Sequence, residues 1–214
     1  MGSPLPKYNE DQRPPTTYVV DDDLALLKSI CDLLNSQEMD ARGFTSGKSF
    51  LKAYRNDIRD CIICDYLMPD MNGLEVHKEL KKIGSNAPII FLSGKASVEM
   101  TVTAWNEGAV TVIQKPFRST ELIDAVRMAQ ETGQKEWCKR ECLRRFDNVK
   151  AEEMDVLRYL SIGLINKQIA IRQKVSERTI ERRKNHILEC TGTSNFFETT
   201  ELARRAGIDL TIET

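Results

Sequence analysis

Side chains able to act together on a phosphate stand at the ends of four short apolar runs in this 214-residue chain. Asp21, Asp22 and Asp23 follow TYVV (17–20), and Asp65 follows CIIC (61–64). Ser93 follows PIIFL (88–92), and Lys115 follows VTVIQ (110–114) and precedes Pro116. Crowded carboxylates raise one another's pKa unless a cation intervenes. Hard oxygens, with no Cys or His offered beside them, select Mg²⁺, which keeps several waters and shares its sphere with phosphate oxygens. An ammonium and a hydroxyl can hold further phosphoryl oxygens. Phosphoryl transfer is mostly positioning and charge neutralisation, so a carboxylate nucleophile, Mg²⁺, Lys115 and Ser93 form a sufficient set.

A parallel sheet would bring these groups together. β-like runs at 17–20, around 39–43, 61–64, 88–92 and 110–113 alternate with helical patterns. The helical patterns lie at 24–36, 48–55, 74–83, 97–106 and 119–130, with apolar residues three or four apart. Five strands alternating with five helices predict a doubly wound α/β fold covered on both faces. In such a sheet, ligands bind beyond the carboxyl ends of the strands, where all four groups stand. Gly133 is expected to close the last of these helices. Residues 1–15 read as a flexible lead-in and 133–149 as a linker with some helix.

Hydrophobic residues make up 41% of the chain, enough for a packed core, and no apolar run reaches the roughly 20 residues needed to span a bilayer. The six cysteines form no disulfide or zinc framework. Cys61 and Cys64 have CxxC spacing but bracket Ile62-Ile63 in a strand-like run, whereas a redox pair wants an exposed helix N-terminus. They read as structural thiols in a reducing cytoplasm. Gly43 to Ser49 imitates a phosphate-binding loop, yet three residues separate its glycines where four are required. It reads as a loop after the second strand.

Charge divides the chain. Residues 1–133 carry 15 basic and 19 acidic side chains, and residues 134–214 carry 16 and 13. Between Lys167 and Lys184 there are seven basic residues and two acidic ones, an imbalance suited to a polyanion. Beyond 150 the pattern is wholly helical, at about 150–162, 167–174, 177–190 and 197–206. Asn166 and Ser176 are candidate caps for two helices joined by a tight turn at Lys174, a helix-turn-helix whose second helix would enter a DNA major groove. At 100° per residue, Ile180 and Ile187 share one side of that helix. Arg178, Glu181, Arg182, Asn185 and Glu189 gather on the other.

Two resemblances follow from these residues. VVDDD, CDYLMPDMNG, FLSG and QKPF resemble the receiver domain of two-component response regulators, over roughly 16–132. The resemblance implies strand order 2-1-3-4-5, the flavodoxin-like order of doubly wound sheets. It also implies Asp65 as phospho-acceptor, a histidine kinase as donor, and Mg²⁺ held by Asp22, Asp65, the Leu67 carbonyl and, through water, Asp21. Ser93 and Lys115 would hold the phosphoryl group, with a cis Lys115–Pro116 bond, and Asp23 would cap a helix. Val112 stands where receivers usually carry an aromatic residue, so switching is expected to run through backbone shifts. The run GLINKQIA…VSERTIERRKNHI resembles the LuxR/FixJ/NarL-type output domain over about 149–208. That resemblance implies Glu181, Arg182 and Asn185 as base readers. It implies Lys167, Arg178, Thr179, Arg183 and Lys184 as phosphate contacts, and the helix at 197–206 as a dimerisation element.

Gln173, Lys174, Arg183, Thr191 and Thr193 depart from that output pattern. Together the two modules (16–132 and 150–214) imply a cytoplasmic transcription factor that dimerises on phosphorylation and binds promoter DNA, without enzymatic turnover beyond its own phosphotransfer and dephosphorylation. The alternative is a phosphorylation-controlled protein-binding regulator whose helical module no longer reads DNA.

Overall fold

The computed structural model describes residues 14–94 and 111–212. Residues 1–13 of the lead-in expected at 1–15, and the helix expected at 97–106, lie outside the described residues. Within them, five strands form one parallel sheet: β1 (Thr17–Val20), β2 (Ala41–Phe44), β3 (Cys61–Asp65), β4 (Ile89–Ser93) and β5 (Thr111–Gln114). Their order is β2-β1-β3-β4-β5, the order the receiver resemblance implies.

Alternation along the strands explains why both faces are covered. Tyr18, Val20, Ile62, Cys64, Ile89 and Phe91 point to one side, where α2 (Gly47–Ala53) and α3 (Gly73–Lys82) supply Phe50, Val76 and Leu80. Val19, Cys61, Ile63, Ile90, Leu92 and Ile113 point to the other. There they meet Leu27, Ile30 and Leu34 of α1 (Leu24–Ser36) and Leu122 and Val126 of α4 (Ser119–Arg144). Val112 pairs in register with Phe91 and packs against the first cluster. Cys61 and Cys64 are fully buried, and burial pushes both thiols well above the ordinary range, as inert core cysteines should behave.

The expected helix stop at Gly133 is not found. α4 runs straight through it to Arg144, and only then does the chain turn towards Val149, with Cys142 and Phe146 buried in the second core. Segment 133–149 is therefore a helix continuation followed by a packed turn. Gly133 continues the buried stripe of Leu122, Val126 and Ala129, and a Cβ there would come within 2.6 Å of the Ile58 carbonyl oxygen. Close approach, not helix termination, calls for glycine at this position.

The described residues fall into two compact units, one ending at Trp137 and one beginning at Cys138. The second is wholly helical: α5 (Ala151–Ser161), α6 (Asn166–Gln173), α7 (Glu177–Thr191) and α8 (Phe196–Ala206) surround Val156, Leu157, Ile169, Ile180, Ile187 and Ala203. Among the described residues, no helix is long and apolar enough to cross a membrane.

Ala favours a helix interior by about 1 kcal/mol over Gly, but overpacking typically costs 1–3 kcal/mol. Gly133→Ala is therefore expected to destabilise the chain by about 1 kcal/mol net, read as a lower urea midpoint at unchanged slope.

Candidate functional site

Strand register assembles the first site. Val20 pairs with Cys64, Asp65 with Leu92 and Ser93 with Gln114, so Asp21, Asp65, Ser93 and Lys115 come from neighbouring strand ends. The backbone N–H of Lys115 donates to the Ser93 carbonyl at 2.8 Å, fixing that last step. Asp21 and Ser93 are each 1% exposed and Asp65 8%. The Lys115 ammonium lies 2.7 Å from Asp21 Oδ2 and 3.0 Å from Asp65 Oδ1. Carboxylate oxygens of Asp21, Asp22 and Asp65 all lie within 4.8 Å of one another.

Local structure holds each group in place. Asp21 Oδ1 accepts from the Asp23 N–H at 2.9 Å, and Asp23 caps α1 by accepting from the N–H groups of Ala25 and Leu26. Asp23 is thus the cap it was expected to be. After Asp65 the chain turns through Leu67, whose side chain is exposed, and Met68, which is buried. It re-enters a helix at Gly73, where the Asn72–Glu75 capping box closes α3. A Cβ on Gly73 would lie 2.8 Å from the Asp65 carbonyl oxygen and 2.9 Å from the Phe91 ring. The Lys115–Pro116 bond is cis, as the receiver resemblance implies.

Electrostatics follow from this packing. Burial raises the Asp65 carboxyl above its ordinary range, with Asp21 and Asp22 pushing the same way and Lys115 opposing. For Lys115, burial pulls downward, but hydrogen bonds to Asp21 and Asp65 outweigh it and raise the ammonium's pKa. Sequence reasoning assigned Lys115 to a phosphoryl group and missed that it first bridges Asp21 and Asp65. An ammonium and two carboxylates at adjacent parallel strand ends were the available signal. The donor set fits a hard divalent cation: three carboxylates converge, with one lysine to balance them.

The second site lies on α7. Ser176 caps it, accepting from the Thr179 N–H at 3.1 Å, and Lys174 ends α6 in the left-handed region at φ 54°. Asn166, expected as the α6 cap, does not cap it: Ile165 occupies that position, and its N–H donates to the Gln168 side chain. Asn166 Oδ1 instead accepts from Lys184 Nζ at 3.1 Å. Ile180 and Ile187 are fully buried, while Arg178, Glu181, Arg182, Asn185 and Glu189 are exposed on the opposite face. A groove of about 620 Å³ runs along these five, with Ser176, Thr179 and His186. Lys167 is exposed on α6.

Two basic residues expected to reach outward are engaged within the module. Arg183 donates to the Gln173 side-chain oxygen, and the Gln173 amide donates to the Glu152 carbonyl at 2.9 Å. Lys184 also stands 5.1 Å from the centre of the Phe196 ring. The departures at 173 and 183 thus satisfy one another. Those at 191 and 193 do likewise, because hydroxyls of Thr191, Thr193 and Thr199 form a chain at 2.9 and 2.7 Å. No signal in a single sequence ties these distant positions together.

Comparison with known proteins assigns a family to each module. The family model for the response regulator receiver domain matches residues 17–127, slightly more than half of the chain. The chain belongs to the response regulators. A second model, bacterial regulatory proteins of the luxR family, matches residues 151–203. The response regulator protein TodT of Pseudomonas putida is 31% identical over 192 residues, covering 88% of this chain and 85% of that one. The transcriptional regulatory protein FixJ of Bradyrhizobium diazoefficiens is 32% identical over 195 residues, covering 89% and 95%. Among solved structures, the response regulator StyR matches with a TM-score of 0.72 at 28% identity, covering 90% of this chain and 100% of that one. Full-length FixJ from B. japonicum matches with 0.54 at 30% identity, covering 92% and 98%. This is a response-regulator transcription factor with a receiver and a LuxR-family output module.

Two outcomes are expected from this geometry. A carboxyl whose pKa is raised in the fold contributes its full stability while protonated, and loses it as pH rises through the unfolded and then the folded pKa. Asp65→Asn is accordingly expected to raise the urea midpoint at pH 7 and leave it nearly unchanged at pH 3. In the output module, Thr199→Val removes the Thr199 bonds to Thr193 and to the Asn195 carbonyl and leaves Thr193 only its contact with Thr191. It is expected to cost about 1 kcal/mol in equilibrium unfolding, the usual net worth of a lost hydrogen bond.

Proposed function

We propose that Asp65 is the phospho-acceptor and that α7 reads promoter DNA. The observation carrying this reading is the juxtaposition of Asp65 with the Lys115 ammonium at 3.0 Å and the carboxylates of Asp21 and Asp22. An Asp65 carboxylate oxygen attacks the phosphorus of a phosphohistidine donor. The new bond is Asp65 O–P, the bond broken is histidine N–P, and the departing imidazole takes its proton from solvent. Asp22, Asp65, the Leu67 carbonyl and, through water, Asp21 would hold Mg²⁺, which supplies charge neutralisation for the phosphoryl oxygens when bound.

Lys115 exchanges its contact with Asp65 for a phosphoryl oxygen while keeping Asp21, and Ser93 donates its hydroxyl to a second one. Water later hydrolyses the acyl phosphate and returns Asp65. The added negative charge selects between two packings of the receiver surface. The selected state is a homodimer, in keeping with Phe197, which is 81% exposed on the first turn of α8. Paired α7 helices then address two half-sites about one helical turn apart. Arg182 pairs with guanine, Asn185 with adenine and Glu181 with the cytosine amine. Lys167, Arg178 and Thr179 contact phosphates. Arg183 and Lys184 would do so only by leaving Gln173 and Asn166. A cytoplasmic location and a partner histidine kinase complete the reading.

The test uses acetyl phosphate with Mg²⁺ followed by selection of bound genomic fragments. The wild type is expected to label on Asp65 and enrich a two-fold sequence, and Asp65→Asn to lose the label. Arg182→Ala is expected to weaken binding to the enriched site by about 1–3 kcal/mol and relax the preference at one base. Undiminished labelling of Asp65→Asn, or no enriched sequence with labelled wild type, would refute it.

A further inference from the structure

The output module ends three of its four helices on a glycine in the left-handed region: Gly163 follows α5, Gly192 follows α7 and Gly207 follows α8. The exception is α6. It ends on Lys174, with φ 54° and ψ 44°, immediately before the helix that carries the candidate base readers. The turn itself is an ordinary reversal, in which the Lys174 and Val175 N–H groups donate back to the last turn of α6. Nothing in that backbone arrangement requires a side chain. A Cβ in the left-handed region crowds the following carbonyl, which is why glycine serves there at no cost. Of the two other described non-glycine residues with positive φ, Asn56 has a local excuse, since its amide donates to the Ile83 carbonyl at 3.0 Å. Glu38, just after α1, and Lys174 have none; Lys174 is exposed, and its ammonium makes no hydrogen bond or ion pair among the described residues.

Its surroundings say what that ammonium is for. Lys184 and Arg183 are drawn into bonds with Asn166 and Gln173. Arg172, on the last turn of α6, is stacked 5.6 Å from the Tyr159 ring centre. Lys174 by contrast stands two residues before Ser176, which caps α7 and lines the groove with Arg178, Glu181, Arg182 and Asn185. A helix entering the major groove does so N-terminus first, which brings the preceding turn against the sugar-phosphate strand. Backbone strain kept at a surface position points to a functional constraint rather than to folding.

We infer that Lys174 is a DNA-phosphate contact, and that the strained turn is retained to place its charge against the backbone beside α7. The inference rests on the DNA-reading function proposed above and assigns one further residue to it. Each phosphate neutralised contributes about −0.9 to the slope of log affinity against log salt, which amounts to about five-fold in affinity at 0.15 M relative to 1 M.

The experiment measures binding of the full chain, phosphorylated with acetyl phosphate and Mg²⁺, to a mixed-sequence DNA duplex across a salt series. Thermal unfolding of the same proteins is recorded in parallel. Lys174→Gly is expected to raise the melting temperature, weaken DNA binding about five-fold at 0.15 M salt, and reduce the salt slope by about one. Lys174→Gln, which keeps the strained backbone and loses the charge, is expected to weaken binding equally with no gain in melting temperature. Lys174→Arg is expected to bind as the wild type does. Wild-type affinity and slope in Lys174→Gln would overturn the inference alone, as would a loss confined to Lys174→Gly. A wild type with no salt-dependent affinity for DNA would overturn the proposed DNA-reading function, and this contact with it.

Discussion

A single ammonium sets the terms of the receiver module. Lys115 stands between two carboxylates that are almost entirely removed from water, Asp21 on β1 and Asp65 on β3. Without it, two negative charges at adjacent strand ends would repel one another in a poorly solvated place, and one would protonate. With it, one positive charge offsets part of the negative charge at the end of the sheet, where the Asp22 carboxylate also lies within 4.8 Å of the other two. The same arrangement makes the site responsive. The ammonium's bonds to Asp21 and Asp65 raise its own pKa, yet burial still leaves Asp65 above its ordinary range. A carboxylate in that condition is under-compensated, so a cation that brings new positive charge improves its surroundings.

Such a pocket requires strand ends that do not slip. In β1, β3, β4 and β5, alternate residues are buried on opposite faces, so a shift of one residue would turn each strand's core side chains towards the wrong helices. Register is therefore enforced by the whole hydrophobic set, and the polar residues at the carboxyl ends inherit their positions from it. The glycine at 73 serves the same end locally. It lets the returning chain lie against the Asp65 carbonyl and the Phe91 ring, closing the turn beneath the acceptor.

Most of this was legible in the sequence. Apolar runs of four or five residues ended by Asp, Asp, Ser and Lys gave both the sheet and the pocket, because period and position are local properties. The failures were of another kind. Gly133 looked like a helix stop because glycine usually is one near a helix end, but its reason lies in the Ile58 carbonyl, 75 positions away in the chain and invisible to a local window. Asn166 looked like a cap because asparagine favours caps, but a lysine from α7 claims its side chain. Gln173, Arg183, Thr191 and Thr193 looked like departures from the output pattern. Each proves to be half of a pair or part of a chain that joins two helices. Local rules place elements; who pays whom in hydrogen bonds is decided across them.

The output module treats its charges in the opposite way from the receiver. There, close pairing consumes them at the point of chemistry. On α7, Arg183 and Lys184 bond to Gln173 and Asn166 of α6, so residues that a charge count would assign to DNA join the two helices. What remains outward is Arg178, Glu181, Arg182, Asn185 and Glu189, a mixed face with two cations, two carboxylates and one amide. A surface built only to hold a polyanion would have no use for Glu181, which phosphates repel. A surface that must distinguish bases does, because a carboxylate can accept only from an amine at a base edge and penalises every other register. Glu181, set between Arg178 and Arg182, is therefore the better argument for sequence reading, and the two arginines for affinity.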